Sequence, residues 1–164
     1  LNVAVRDLVQ SAVNRCWIVT PYFIPPRWFM ELLTDAAARG VDVRLLTAGR
    51  SDVPLARVAG RHLYKRLLRA GIRVFEKHAP ILHAKCIMAD GRTGIVGSYN
   101  VDTYGSRRNL EIGISSTDPG LIARLEEEFE IRTRGSDEIH LDAWLRRPLL
   151  RRTGEWLLHW LFRI

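Results

Sequence analysis

The chain has 164 residues, 47% of them hydrophobic and 26% charged, with a formal net charge of +7. These are the proportions of an ordinary globular domain with room for a real core, and they exclude a disulfide scaffold or a low-complexity tract. No apolar run approaches the roughly 20 residues of a membrane span. The basic balance favours anionic partners (phospholipid surfaces, nucleic acid or phosphorylated substrates) without choosing among them. No signal-peptide pattern is present, and a start at Leu1 rather than Met reads as a piece of a longer protein.

In chain order, Val3 to Val13 carries apolar residues at helical spacing. Cys16 and then Trp17-Ile18-Val19-Thr20 read as a short buried strand, stopped by Pro21. A loop rich in proline and aromatics leads to a helix over Arg27 to Arg39, ended by Gly40. Val41 to Thr47 reads as a strand. Strand, helix and strand at this spacing form a right-handed crossover and so pair in parallel. A second helix is expected over Val53 to Ala70 and a strand over Ile72 to Phe75. Two apolar runs flanking Asp90-Gly91 predict a hairpin. A strand over Leu110 to Ser115 follows, then a helix from about Leu121 to Thr133 capped by Asp118, and a linker over Asp137 to Leu141. The expectation is one α/β domain over residues 1–140, a mixed sheet with helices on both faces, and a tail over residues 141–164. Cys16 and Cys86 sit in apolar strand-like runs and read as buried free thiols, in keeping with a reducing compartment.

The segment His83-Ala84-Lys85 places an imidazole and an ammonium two residues apart in a strand-like stretch, hence on one face. A two-residue turn at Asp90-Gly91 pairs Ala89 with Arg92, Lys85 with Val96 and His83 with Ser98. One face would then gather His83, Lys85, Ser98 and Asn100, and the other Ala84, Cys86, Met88 and Ile95. An imidazole beside a fixed cation suits attack on a phosphodiester: the imidazole does covalent or proton-transfer work while the ammonium stabilises phosphoryl charge. Ser98 and Asn100 can donate to phosphoryl oxygens. Asp90, before Gly91, is a normal turn residue and reads as structural. Gly91, Gly94 and Gly97 lie in a hairpin rather than between a strand and a helix, which rules out a dinucleotide loop. The remaining histidines, His62, His78, His140 and His159, are scattered without zinc spacing, so no metal is expected.

The pattern H-x-K-x(4)-D-x(6)-G-S-x-N, filled by His83, Lys85, Asp90, Gly97, Ser98 and Asn100, resembles the phospholipase D superfamily. Asn109-Leu110-Glu111 stands where that family carries a carboxylate hydrogen-bonded to the catalytic histidine, so the resemblance implies that Glu111 holds His83 Nδ1. The stretches Thr20-Pro21-Tyr22-Phe23-Ile24-Pro25 and Ala38-Arg39-Gly40-Val41-Asp42-Val43-Arg44, with the Trp/Arg-rich tail, look like the C-terminal half of the cardiolipin synthase branch. The resemblance implies a phosphatidyl transferase without cofactor or metal, working through a phosphohistidine on a phosphatidylglycerol-like lipid. It implies a second H-x-K half, upstream in the same chain or in a homodimer. His83 is then either the acid/base partner of an upstream nucleophile or, in a homodimer, one of two equivalent histidines. It also places the protein peripherally on the cytoplasmic face of a bacterial membrane.

The tail supplies Trp144, Trp156 and Trp160 with Arg146, Arg147, Arg151 and Arg152 among Leu, Ile and Phe residues. It reads as an interfacial helix pair broken near Pro148 and Gly154, suited to an anionic membrane surface. Two rival readings keep the same site residues: a nuclease or other phosphodiesterase, and a lipid-binding half-domain inactive by itself. Basic residues interleaved with Trp and Leu at helical spacing favour a lipid surface over nucleic acid.

Overall fold

The structure is a computed structural model that describes residues 1–100 and 111–162. Its elements are α1 (Asn2–Ser11), β1 (Arg15–Val19), α2 (Arg27–Ala38), β2 (Asp42–Ala48), α3 (Pro54–Arg61), α4 (Tyr64–Arg69), β3 (Arg73–Lys77), β4 (Cys86–Ala89), β5 (Thr93–Gly97), β6 (Gly113–Ser116), α5 (Pro119–Arg134), β7 (Asp137–Ile139), α6 (Leu141–Leu145) and α7 (Leu149–Leu161). The seven strands form one sheet in the order β6-β5-β4-β1-β2-β3-β7. β1, β2 and β3 are parallel. β4 runs antiparallel to β1, and β5, β6 and β7 are antiparallel to their neighbours. This is the mixed α/β sheet expected from the sequence.

Alternation along the strands divides the core into two layers. Cys16, Ile18, Val43, Leu45, Val74, Ile87 and Ile95 pack with α1, α2 and α4 on one face. Trp17, Val19, Leu46, Phe75 and Met88 pack with Phe129 of α5 on the other. There the rings of Trp17 and Phe129 stack at 4.9 Å. Each fully buried Ile, Leu or Phe side chain contributes about 1.5–3 kcal/mol relative to exposure. Both cysteines are free, and burial pushes each thiol up to about 12.

Several expected elements differ in detail. The helix expected over Val53 to Ala70 is two helices with a turn at His62-Leu63. Gly60 lies against the Phe23 carbonyl, where a Cβ would stand 2.7 Å from the oxygen. The turn then lets Tyr64 enter the core and donate to Glu76 Oε1 at 3.0 Å. The expected linker contains strand β7, held to β3 by the bidentate Arg73–Glu138 pair at 2.8 and 2.9 Å. In the tail, Pro148 does break the chain before α7, but Gly154 lies within that helix. Packing of α7 along α3, through Leu158 and Phe162 beside Ile24, Ala56 and Ala59, carries the helix through the glycine. The strand expected over Leu110 to Ser115 is seen as β6, Gly113–Ser116; Leu110 lies outside the described residues.

The β4–β5 hairpin turns at Asp90-Gly91, both with positive φ (55° and 65°), as a type I′ turn requires. Arg92 N donates to Ala89 O at 3.0 Å. The ladder, however, pairs Ala89 with Thr93 and Ile87 with Ile95, so Arg92 is an extra residue on the β5 side. The expected Ala89–Arg92 register is therefore wrong by one: Ile95 joins Ile87 in the α1/α2 layer rather than Met88, Val96 stands opposite Cys86 rather than Lys85, and the expected pairing of His83 with Ser98, which put His83, Lys85, Ser98 and Asn100 on one strand face, does not form.

Asp90 explains why the turn takes this form. Its carboxylate accepts from Val13 N (2.9 Å), Asn14 N (2.8 Å) and Arg15 N (2.9 Å), clamping the hairpin to the entry of β1. Burial pushes the Asp90 carboxyl up, but the donors from Arg15, Val13 and Asn14 together outweigh it and hold the group below its ordinary range. A depressed carboxyl contributes stability that is present above the unfolded value of about 3.9 and lost as pH falls through the lower folded value. Asp90→Ala should therefore lower the unfolding free energy by about 2 kcal/mol at neutral pH. In urea titrations the difference from the parent should shrink below about pH 4; a difference independent of pH would show that the clamp is not the cause.

Candidate functional site

The topology brings distant segments to one edge of the sheet. β1 and β2 are parallel and end at this edge. β4 is antiparallel to β1 and therefore begins there; β5 ends there and β6 begins there. The residues after β1 (Tyr22), after β2 (Asp52), before β4 (His83 and Lys85), after β5 (Ser98 and Asn100) and before β6 (Glu111) thus share one rim. Ligands of open α/β sheets bind outside the carboxyl ends of parallel strands, which is this rim.

His83 is exposed and Lys85 half-buried, in the extended segment leading into β4. Lys85 Nζ donates to the His83 carbonyl at 2.7 Å, which ties the ammonium to the backbone of the histidine. Lys85 O accepts from Gly97 N at 3.3 Å, so the ladder extends to the motif lysine. Burial lowers the Lys85 pKa from its ordinary value, while the charges of Glu111 and then Asp52 oppose the shift. The ammonium thus lies within electrostatic reach of two carboxylates from different loops.

Ser98 follows the last residue of β5. Its Oγ donates to Glu111 Oε2 and accepts from Ile112 N at 3.0 Å, while its own N donates to Ile112 O at 2.9 Å. Glu111, implied by resemblance as the partner of His83, takes the Ser98 hydroxyl here. Asn109 and Leu110 of the same stretch lie outside the described residues. Asn100 is half-buried, and its Oδ1 is buried with no hydrogen-bond partner among the described residues. Such an acceptor costs about 1–3 kcal/mol when left unmade, and functional sites are where that cost is retained.

Gly97 lets β5 and β6 close on each other. A Cβ there would stand 2.1 Å from Ile112 O and 2.7 Å from Gly113 Cα, both backbone atoms. Asp90 lies at the opposite end of the hairpin and takes no part in the rim.

Two further residues join the site that the sequence reading did not assign to it. Tyr22 donates its hydroxyl to Asp52 Oδ1 at 2.5 Å. Burial first, and then Asp52, push the phenol up to about 12. The Tyr22 hydrogen bond holds the Asp52 carboxyl below its ordinary range against burial, with the charge of His83 adding to the shift. Buried Thr20 and Thr47 fix this loop by donating to Tyr22 O (3.1 Å) and Pro21 O (3.3 Å). The signal was available: both residues follow parallel strands, at the end where such sheets bind ligands.

The tail residues divide into two groups. Trp144 is only 6% exposed and belongs to the main core; Arg147 lies over its ring at 3.1 Å and is bound to Glu155 at 2.5 and 3.0 Å. Those two are engaged inside the protein. Arg146, Arg151, Trp156 and Trp160 are exposed and Arg152 half-exposed. Among the described residues no helix is long and apolar enough to cross a membrane, and no group of three His, Cys, Asp or Glu could hold a metal ion.

A protein-family description, "Cardiolipin synthase, PLD-like domain", matches residues 5–132. Cardiolipin synthase 2 of Bacillus anthracis is 34% identical over 148 residues, 90% of this chain and 29% of that protein. Cardiolipin synthase A of Escherichia fergusonii is 32% identical over 162 residues, 97% of this chain and 33% of that protein. The chain therefore spans about a third of the length of these relatives. Among solved structures, phosphatidylserine synthase of Haemophilus influenzae superposes with a TM-score of 0.75 at 16% identity, covering 99% of this chain and 42% of that one. The phospholipase D family member Nuc from Salmonella typhimurium superposes with a TM-score of 0.74 at 24% identity, covering 85% and 90%.

Gly97→Ala should cost about 1–3 kcal/mol in stability, because the clash is with backbone that must shift. It should also disturb the Ser98–Glu111 contact, seen as shifted amide resonances at Ser98 and Ile112. Unchanged stability and resonances would mean that β5 and β6 separate freely.

Proposed function

The chain belongs to the cardiolipin synthase, PLD-like domain family, and on that premise we propose that it is one catalytic half of a phosphatidyl transferase. The observation that carries the proposal is the shared rim: His83, Lys85, Ser98, Asn100 and Glu111 arrive there from three segments that only this topology brings together. The Lys85 ammonium, and the side-chain NH2 of Asn100 as a donor, suit a tetrahedral phosphoryl group. In the first step one imidazole nitrogen bonds to phosphorus and the bond to the leaving glycerol oxygen breaks. A second imidazole donates the proton that releases glycerol as an alcohol. In the second step the hydroxyl of an acceptor lipid loses its proton to that second imidazole and displaces the first from phosphorus. The donor is a phosphatidylglycerol-like lipid, and the product joins two phosphatidyl groups through glycerol.

Two imidazoles are needed; His83 supplies one, whereas His78, which follows β3 at the same edge of the sheet, is paired with Asp137. The second H-x-K half, upstream in the same protein or in a second copy, would meet the rim beside Val96, Ile112 and Ile114. These are 37%, 69% and 69% exposed, an apolar strip on the outer strands next to Ser98. On the outer face of α7, Leu150 (85% exposed), Leu157, Trp156 and Trp160 stand among Arg151 and Arg152, with exposed Arg146 at the end of α6 preceding them. That combination suits an anionic bilayer surface, entered from the cytoplasmic side of a bacterial membrane.

In the complete protein, His83→Ala should cut the rate of glycerol release from phosphatidylglycerol to less than about one hundredth of the parent value. Near-parental turnover would remove His83 from the reaction. Cleavage of DNA that depends on His83, without lipid turnover, would replace the lipid substrate by a nucleic acid.

A further inference from the structure

A second basic hollow lies away from the rim, between α4, α6 and α7. It has a volume of about 290 Å³, and its walls include His62, Lys65, Trp144, Arg147, Arg152 and Trp156. Trp144 forms the floor, between the guanidinium groups of Arg147 (3.1 Å from the ring) and Arg61 (4.9 Å). Glu155 is buried, bonded to Arg147 and 3.6 Å from Arg61 Nε. The charges of the floor are therefore matched within the protein.

The rim of the hollow is different. Among the described residues, neither Lys65 nor Arg152 has a carboxylate partner. Lys65, Arg147 and Arg152 face a single carboxylate, Glu155, and so leave an excess of positive charge. His62 lies against His159 with ring centroids 4.8 Å apart and the planes tilted by 34°; burial holds the His62 pKa below its ordinary value, against the charge of Glu155. That imidazole offers a neutral donor rather than another cation. The hollow opens beside the exposed apolar residues Leu149 and Trp156 of α7. A small soluble anion would pair the cations and leave this apolar edge wet. A phospholipid covers both, phosphate on the cations and acyl chain on the edge.

We infer that this hollow is a headgroup site for an anionic phospholipid, separate from the catalytic rim, in which Lys65 and Arg152 hold the phosphate and Trp156 and Leu149 meet the glyceryl and acyl region. The inference rests on the membrane-surface reading of α7, and the test separates the two. Co-sedimentation of the chain with vesicles of phosphatidylglycerol and phosphatidylcholine gives the partition coefficient. Lys65→Gln with Arg152→Gln should lower it about twenty-five-fold, two cations at about a fivefold loss each. Arg92→Gln with Arg124→Gln removes the same charge from exposed positions elsewhere and should stay within about threefold of the parent, because screening confines the effect to nearby charges.

Equal losses in the two double variants would reduce the effect to net charge and overturn the site. Loss only on Trp156→Ala with Leu157→Ala would keep the membrane surface and overturn the headgroup site. No loss in any variant would overturn both. Quenching of tryptophan fluorescence by glycerol phosphate alone, abolished by Lys65→Gln with Arg152→Gln while vesicle binding is unaffected, would assign a soluble ligand and overturn the lipid.

Discussion

The Asp90 carboxylate fixes the position of everything else at the site. Three consecutive backbone donors, Val13, Asn14 and Arg15, converge on it, and Asp90 N returns a bond to Arg15 O at 3.0 Å. Those contacts set the left-handed turn and hold β4 in antiparallel register against β1, with Ile18 opposite Ile87. A slip of one residue would turn the side chains of β4 to the opposite layers. Because β4 begins at the far rim, its register also fixes how far His83 and Lys85 stand above the sheet. The motif aspartate thus shapes the rim from the other end of the strand, through geometry and not through contact.

At the rim, the same economy of contacts holds the candidate site residues. The close approach of Gly97 to the Ile112 backbone draws β6 against β5, and Ser98 then bridges to Glu111 and Ile112 N. Lys85 is anchored on the His83 carbonyl. Its charge is balanced by carboxylates on two other segments, Glu111 and Asp52. Half-buried cations opposed by distributed carboxylates keep their charge yet carry less hydration, which strengthens their pull on a phosphoryl oxygen.

The sheet was legible in the sequence because alternation and turn chemistry agree there: the strands β1, β2 and β3 and the parallel pairing of β1 with β2 follow from it, as does the Asp90-Gly91 turn. The ladder register was not, because the extra residue Arg92 depends on how Asp90 is held by Val13 to Arg15, a contact between segments more than 70 positions apart. Tyr22 and Asp52 were missed for a related reason. Neither lies near the H-x-K segment in the chain, and only the strand order β4-β1-β2 makes them neighbours of His83. Strand β7 has three residues, two of them acidic, and exists by virtue of the Arg73–Glu138 pair; no periodicity can show so short an element. In the tail, composition put all the Trp and Arg residues on one surface, whereas Trp144 and Arg147 turn inward to meet Tyr64 and Glu155.

That inward turn joins the tail to the site mechanically. Arg61 of α3 bonds to Glu76 at 3.3 Å and approaches Glu155 of α7 at 3.6 Å. Glu76 is buried on β3 and accepts from Tyr64 of α4. Breaking one member of so buried a charge network leaves another uncompensated, a cost of about 3–5 kcal/mol, so α7 is held as firmly as a core helix. α3 begins at Pro54, two residues after Asp52, whose carboxylate interacts electrostatically with His83. A helix suited to lie on a lipid surface is therefore packed along the helix that issues from the rim of the candidate site. In the proposed function this short rigid path fixes the height of the imidazole above the bilayer. A reaction between two lipids needs that constraint more than most, because neither substrate leaves the surface while phosphorus changes partners.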